Sequence, residues 1–103
     1  MVQLFVMAIV VAPIAEELFF RGLVLQTFCR YTRSAWLAIV LSGIAFGSVH
    51  FGQPQAVLPL TTMGIVLAYL RVRFRSIELC ILVHALFNAQ AMVMAFLVPE
   101  LVT

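Results

Sequence analysis

The stretch that decides the fold is "APIAEELFFRGLVL", residues 12–25, where three ionisable residues interrupt an apolar sequence that begins with "LFVMAIVV" at residues 4–11. Each charged residue at the centre of a membrane helix costs ~2.5–3.5 kcal/mol, so Glu16, Glu17 and Arg21 together cost roughly 8–10 kcal/mol, about what the apolar residues of one helix recover. A membrane helix that carries this sequence therefore needs polar partners on other helices or a water-filled cavity.

The composition is that of a membrane protein. Of the 103 residues, 65% are hydrophobic and 10% are charged, and the mean hydropathy is +1.18, whereas soluble domains carry about a quarter charged residues. Residues 34–70 and 79–99 contain no formal charge when histidine is neutral. The sequence thus predicts an all-α, polytopic transmembrane helical bundle that forms a single domain over residues 1–103. It excludes a soluble domain, because too few polar residues are present to cover one.

Four helices are predicted from the turn signals. A membrane-spanning helix needs ~20 residues, and the polar or Gly/Pro-containing segments "CRYTRS", "FGQPQ" and "RVRFRS" divide the chain. The predicted helices cover residues 2–29, 35–50, 55–72 and 77–98.

The arginines predict the orientation of the bundle. Arg30 and Arg33 lie between the first two helices, and Arg71, Arg73 and Arg75 lie between the last two. In a four-helix chain both turns fall on one face, which the positive-inside rule places in the cytoplasm of a multi-pass protein of the cell membrane. The net charge of +2 is explained by these turns, so no nucleic-acid partner is expected.

Both histidines share a helix face with a residue four positions away. His50 follows Phe46 in "FGSVH", and His84 precedes Asn88 in "HALFN", and positions i and i+4 lie on one face. The G-x-x-x-G pair in residues 43–47 is expected to allow the close helix packing that brings His50 near the first helix.

The two adjacent glutamates are predicted to have different roles. Glu17 and Arg21 are spaced i,i+4, so they are expected to form an ion pair that stabilises the first helix. Glu16 points about 100° away around the helix. We therefore expect Glu16 to meet His50 and to carry the catalytic proton.

These side chains are suited to the hydrolysis of an amide. A buried carboxylate, Glu16, can act as general base on a water that His50 orients, while His84 and Asn88 can donate hydrogen bonds to the oxyanion. Alternatively, Glu16, His50 and His84 with a water match a catalytic zinc set. The spacing is not H-E-x-x-H and Asn88 would be a poor zinc ligand, so a metal-free site is favoured and zinc stays open.

Three motifs occur in order along the chain: E-E-x-x-x-R in "EELFFRG", F-x-x-x-H in "FGSVH" and H-x-x-x-N in "HALFN". They resemble the signatures of the CAAX-protease and bacteriocin-processing (CPBP, or Abi) family of intramembrane proteases, which includes type II CAAX prenyl endopeptidases. The resemblance covers Glu16 to Asn88 and implies a helical membrane core whose site residues are Glu16, Glu17, Arg21, His50, His84 and Asn88.

The same resemblance implies an intramembrane endopeptidase. Its substrate would be a membrane-embedded or membrane-tethered peptide, either a CAAX-type prenylated tail or a bacteriocin-related peptide, cleaved near the cytoplasmic face. Family members are commonly described as metalloproteases, although a glutamate-activated water without metal is also argued for them. They usually contain more than four helices.

Two other functions remain open from the sequence. One is a non-catalytic membrane immunity or binding module; the other is a proton-coupled transporter subunit that uses the same carboxylates. A transporter usually shows broken helices in both halves of the chain. Pro13 is expected to interrupt the first helix, and no matching break is expected in the second half. Hydrolysis is therefore the favoured function, and no motif specifies an oligomeric state.

Overall fold

The protein is a bundle of four helices in a computed structural model that describes residues 2–99. The helices are α1 (Val2–Thr32), α2 (Ala35–Ser48), α3 (Pro54–Phe74) and α4 (Ile77–Leu97), and no strand occurs in the described part of the chain. α1, α3 and α4 are long and apolar enough to cross a membrane, whereas α2 is shorter. The prediction of an all-α membrane bundle is confirmed.

Two helix ends differ from the prediction. α1 continues to Thr32 instead of ending at residue 29. The hydroxyl of Thr32 donates to the carbonyl of Phe28 at 2.7 Å, so this polar side chain finds its hydrogen-bond acceptor within the helix. α2 ends at Ser48 instead of residue 50, because the amide of His50 turns back to the carbonyl of Gly47 at 3.1 Å. His50 therefore lies in a turn. The bounds of α3 and α4 agree with the prediction to within two residues at each end.

The two arginine turns have the same construction. Arg33 and Arg75 both adopt the left-handed conformation, with φ of 56° and 54°. In each turn the next residue is a serine, Ser34 or Ser76, whose hydroxyl accepts a hydrogen bond from the amide three residues later, at 3.2 and 3.0 Å. Each turn therefore ends one helix and caps the N-terminus of the next.

Aromatic contacts identify the two ends of the bundle. Trp36 at the start of α2 stacks on Tyr69 near the end of α3, with ring centroids 5.8 Å apart. Phe5 near the start of α1 stacks on Phe96 near the end of α4 at 5.6 Å. Neighbouring helices thus run in opposite directions, and the two arginine turns lie at the same end.

Glycines bring α2 and α3 into close contact. A Cβ atom on Gly43 would lie 2.7 Å from the amide nitrogen of Ile65, and one on Gly47 would lie 2.8 Å from that of Thr61. From the other side, a Cβ on Gly64 would lie 3.1 Å from the Cα of Gly43. The G-x-x-x-G pair supports close packing as expected, but the helix it contacts is α3 and not α1.

The register of α1 shifts before Pro13. Residues Met7–Val11 are π-helical, and the amide of Ala12 donates to the carbonyl of Met7, five residues back. In this register the next amide would donate to Ala8, but the next residue is Pro13, which has no N–H. The carbonyl of Ala8 is therefore left without a donor from α1. The predicted interruption at Pro13 is a shift in hydrogen bonding and not a break in the helix.

The buried apolar side chains lie beside the polar residues. One cluster contains Phe20, Phe46, Met63, Leu67 and Cys80. Large apolar side chains elsewhere on all four helices are exposed. This distribution suits a bundle whose outer surface contacts lipid.

Candidate active site

Glu17 and Arg21 form the predicted pair inside the bundle. The Arg21 Nη1 lies 3.2 Å from the Glu17 Oε2, and the two side chains are 1% and 0% exposed. Nη2 donates to the carbonyl of Gly64 at 3.1 Å, and the guanidinium lies 4.6 Å from the centre of the Phe46 ring. Arg21 thereby joins α1 to α2 and α3.

His84 lies between the two glutamates. Its Nδ1 is 2.6 Å from the Glu17 Oε2 and its Nε2 is 3.2 Å from the Glu16 Oε1. The carboxylates leave α1 in different directions, as predicted, yet both reach one imidazole because the ring presents a nitrogen on each side. The expected partner of Glu16 was His50; the residue that contacts Glu16 in this structure is His84, because α4 packs against the segment of α1 that carries the glutamates.

The two glutamates differ in exposure. The side chain of Glu17 is 0% exposed, whereas that of Glu16 is 36% exposed. Among residues 2–99 nothing donates a hydrogen bond to the Glu17 Oε1. When His84 is protonated, two carboxylates and two cations balance within the cluster. Glu16 is therefore the carboxylate that a water or a substrate can reach.

His50 lies close to this cluster without joining it. Its Nδ1 lies 2.9 Å from the carbonyl of Phe46 and can donate to it, while no ion pair links it to Glu16 in the part of the chain that the structure describes. The Phe46 ring lies between the histidines, with its centre 5.4 Å from the ring of His50 and 5.7 Å from that of His84. Phe46 thus forms a wall of the site, and the Nε2 of His50 is left available.

Asn88 makes a contact that the sequence did not predict. Its Nδ2 donates to the carbonyl of Ala8 at 2.8 Å, the carbonyl that α1 leaves without a donor. The amide therefore joins α4 to α1 beyond His84.

The polar residues extend toward one end of the bundle. His50 occupies the turn between α2 and α3, and Asn88 lies further along α4 than His84. Relative to Glu16 and His84, both residues lie toward the end opposite the arginine turns.

The proposed metal set was Glu16, His50 and His84. Within residues 2–99 no group of three or more His, Cys, Asp or Glu side chains is arranged to hold a metal ion. Both nitrogens of His84 face carboxylates, and the Nδ1 of His50 faces a carbonyl. A metal ion bound by this set would have to separate the His84 Nε2 from the Glu16 Oε1, and the chemistry below uses only the side chains of the chain.

Two contributors to the site were missed from the sequence. Gly64 accepts the hydrogen bond of Arg21, and Ala8 accepts that of Asn88. Pro13 is a visible signal for the second, because a proline always removes a donor from the preceding turn. Nothing local to Gly64 marks it as the acceptor.

The comparisons with known proteins agree with the motifs. Among the matching relatives, YyaK of Bacillus subtilis is 36% identical over 91 residues, which is 79% of this chain and 30% of that protein. The protein YbdI of Lactococcus lactis is 27% identical, with 86% of this chain and 47% of the relative covered. A 24.3 kDa protein of Escherichia coli is 32% identical, with coverage of 73% and 36%. The chain thus spans less than half of the length of each of these relatives. No solved structure matches it.

The family is shown by a match that includes every motif. The sequence profile described as type II CAAX prenyl endopeptidase Rce1-like matches residues 1–90, and this range contains the two glutamates, both histidines and Asn88. The chain therefore belongs to the type II CAAX prenyl endopeptidase Rce1-like family, a family of CAAX-type intramembrane proteases.

Proposed function

We propose that this protein hydrolyses a peptide bond of a membrane-associated substrate, with Glu16 as the general base. The observation that carries the proposal is the bridge of His84 between a fully buried Glu17 and a partly exposed Glu16. A buried, charge-balanced group beside one accessible carboxylate matches the requirements of proton transfer to and from water. The family favours a CAAX-type prenylated tail as substrate, and a bacteriocin-related peptide is the other candidate.

The first step is the addition of water to the carbonyl carbon. Glu16 takes a proton from the water, and the water oxygen bonds to the carbonyl carbon. The π electrons of the carbonyl group move onto the carbonyl oxygen, which becomes the oxyanion. The Nε2 of His50 accepts a hydrogen bond from the same water and orients it, because Nδ1 can donate to Phe46. General base catalysis of this kind contributes typically ~10²–10⁴-fold in rate.

The second step uses His84. Once Glu16 is neutral it attracts the imidazole less strongly, so the Nε2–H of His84 can donate to the developing oxyanion. The C–N bond then breaks and the amine takes the proton from Glu16. Glu17 holds the opposite nitrogen of His84 throughout, in the way that a third group orients a catalytic base. Asn88, expected as a second oxyanion donor, donates to the Ala8 carbonyl in this structure and would have to leave that carbonyl to join His84 at the oxyanion.

The test is cleavage of a prenylated, membrane-tethered peptide by the purified protein in liposomes. Changing Glu16 to Gln keeps the size of the side chain and removes the base, so we expect turnover to fall by about 100-fold or more while the Tm stays near that of the parent. Glu78→Gln is the matched control, since Glu78 is an exposed carboxylate in the first turn of α4. Full turnover by Glu16→Gln would contradict the proposal, and a parent that binds the peptide without cleaving it would favour the binding module.

The orientation in the membrane decides which substrates can reach the site. The sequence placed both the arginine turns and the cleaved bond at the cytoplasmic face, but His50 lies at the opposite end of the bundle. We propose that the arginine turns are cytoplasmic in the cell membrane. The site is then reached from the other side, and this orientation favours the bacteriocin-related peptide over a cytoplasmic CAAX tail. Tags at Arg33 and Arg73 should report the cytoplasm, and a tag at Gln53 should report the outside. A cytoplasmic Gln53 would reverse the bundle and open the site to cytoplasmic CAAX tails.

A further inference from the structure

A polar groove runs along the outward face of α1, at the end of the helix that leads into the first arginine turn. Its volume is about 440 Å³, and it is lined by two rows of residues, each spaced four apart: Gly22, Gln26 and Arg30, and Leu23, Thr27 and Tyr31. Residues at this spacing lie on one helix face, and all six are exposed. The groove therefore opens away from the bundle, and none of its residues belongs to the polar cluster around His84.

Two polar side chains of the groove have no partner among residues 2–99. Arg30 lies in the last turn of α1 and pairs with no carboxylate in that range, and the Gln26 amide makes no hydrogen bond there. The Thr27 hydroxyl differs, because it donates to the carbonyl of Leu23 at 2.9 Å. Charged and polar side chains of membrane helices are costly without a partner. Arg30 and Gln26, one helical turn apart, are therefore available to bind one ligand from outside the chain.

The depth of the groove matches the layers of a phospholipid. α1 has 31 residues, so it is ~46 Å long, close to the ~40–45 Å of a bilayer with its headgroup regions. Arg30 then lies ~3 Å from the end of α1, Gln26 ~9 Å and Gly22 ~15 Å, whereas each headgroup region is ~5–8 Å thick. Arg30 thus lies at the level of the headgroups, Gln26 at their inner edge and Gly22 at the level of the acyl chains.

The charge at this end of the bundle favours an anionic lipid. Five of the six arginines lie in the two arginine turns, and Glu78 is the carboxylate nearest to them along the described part of the chain. Clusters of arginine beside a membrane helix attract anionic headgroups, and the planar guanidinium matches two oxygens of a phosphate. A zwitterionic headgroup would bring another cation to this end, whereas an anionic headgroup brings none.

We propose that this groove binds one anionic phospholipid from the leaflet at the arginine turns. The Arg30 guanidinium donates to the phosphate oxygens, and the Gln26 amide donates to a phosphate or ester oxygen. The first carbons of an acyl chain lie over Gly22, which has no side chain to exclude them. The proposed hydrolysis does not use this surface, so the two proposals stand or fall separately.

Lipid binding to the purified protein in detergent micelles tests the inference, at about 150 mM salt to screen distant charges. Phosphatidylglycerol and phosphatidylcholine are titrated in parallel with the Tm as readout, and native mass spectrometry counts the lipids that stay bound. We expect phosphatidylglycerol to raise the Tm at lower concentration than phosphatidylcholine, with one molecule retained. Arg30→Gln should weaken its binding about 10-fold or more, as for the loss of a charged hydrogen bond, and Gln26→Leu roughly 2- to 10-fold.

Arg73→Gln is the matched control, because Arg73 is an exposed arginine at the same end of the bundle, on α3. It removes the same charge away from the groove, so binding should weaken by no more than about 5-fold, the general attraction of one arginine. Equal losses in Arg30→Gln and Arg73→Gln would overturn the groove as the site.

Two further outcomes would also overturn the proposal. If glycerol phosphate alone raises the Tm at the concentrations that suffice for the lipid, the groove binds free phosphate esters. If the parent forms a dimer that retains no lipid, and Arg30→Gln abolishes that dimer, a second copy of the chain fills the groove.

Discussion

Two of the helix interfaces in this bundle are held together by different kinds of residue. Between α2 and α3 the contact depends on missing side chains, since Gly43, Gly47 and Gly64 let two backbones approach. Between α1 and α4 it depends on polar side chains, since His84 contacts both glutamates and Asn88 contacts Ala8. Lipid gives neither interface a hydrophobic driving force, so close packing and interhelical hydrogen bonds are the available sources of stability.

The difference indicates which interface serves the chemistry. A glycine contact is dry and offers no group to a substrate, whereas the polar contact holds a partly exposed carboxylate against a buried imidazole. Arg21 connects the two, because it pairs with Glu17 on α1 and donates to Gly64 on α3. The buried guanidinium of Arg21 thus links the glycine contact between α2 and α3 to the polar contact between α1 and α4.

The largest expected effect on stability is the loss of charge balance in the polar interface. Glu17→Gln leaves Arg21 buried without its counter-ion and replaces the carboxylate that faces His84 by a neutral amide, and breaking a buried pair costs about 3–5 kcal/mol. The measurement is the free energy of unfolding in detergent micelles. Glu78→Gln, which alters an exposed carboxylate, should stay within about 0.5 kcal/mol of the parent.

The double change Glu17→Gln, Arg21→Gln separates charge from packing. It removes both members of the pair, so part of the lost stability should return, less the contacts of Arg21 with Gly64 and Phe46. If Glu17→Gln alone is as stable as the parent, the assigned structural role of Glu17 is wrong.

A smaller effect is expected from filling the glycine interface. The Cβ of Gly47→Ala would overlap the Thr61 side chain and approach its amide nitrogen to 2.8 Å; overpacking of this kind costs typically about 1–3 kcal/mol. Gly52→Ala is the matched control, because a Cβ there meets nothing within 4 Å. Unfolding should therefore be easier for Gly47→Ala and nearly unchanged for Gly52→Ala. Equal stability of the two variants would show that the contact of α2 with α3 is looser than described.

The features predictable from the sequence were those set within one helix. The i,i+4 spacing of Glu17 and Arg21 specifies their pairing whatever the neighbouring helices do. The four helices and their approximate limits follow from apolar length and from turn residues, and Pro13 marks the first of the two π-helical segments of α1, Met7–Val11 and Phe20–Val24. These statements need no knowledge of which helices touch.

The features that could not be predicted depend on contacts between helices. The rotation of α4 about its axis decides that His84, and not His50, meets Glu16, and no local pattern encodes that angle. The same limit applies to the glycines, whose spacing predicts close packing without naming α3 as the partner. The π-helical hydrogen bonding before Pro13 is a further case. Pro13 offers no N–H to the Ala8 carbonyl, and the donor that replaces it, the Nδ2 of Asn88, comes from another helix.

The smallest expected effect is that of removing metal ions. In the polar interface each nitrogen of His84 already faces a carboxylate, and the Nδ1 of His50 faces the Phe46 carbonyl. A metal ion bound by Glu16 and His84 would have to separate these two side chains, whereas a water activated by Glu16 leaves them in contact. We therefore expect turnover and Tm to be unchanged after chelation and dialysis, with zinc content measured on the same samples. Stoichiometric zinc in active protein, lost together with turnover on chelation and restored by zinc alone, would show that the interface rearranges around a metal.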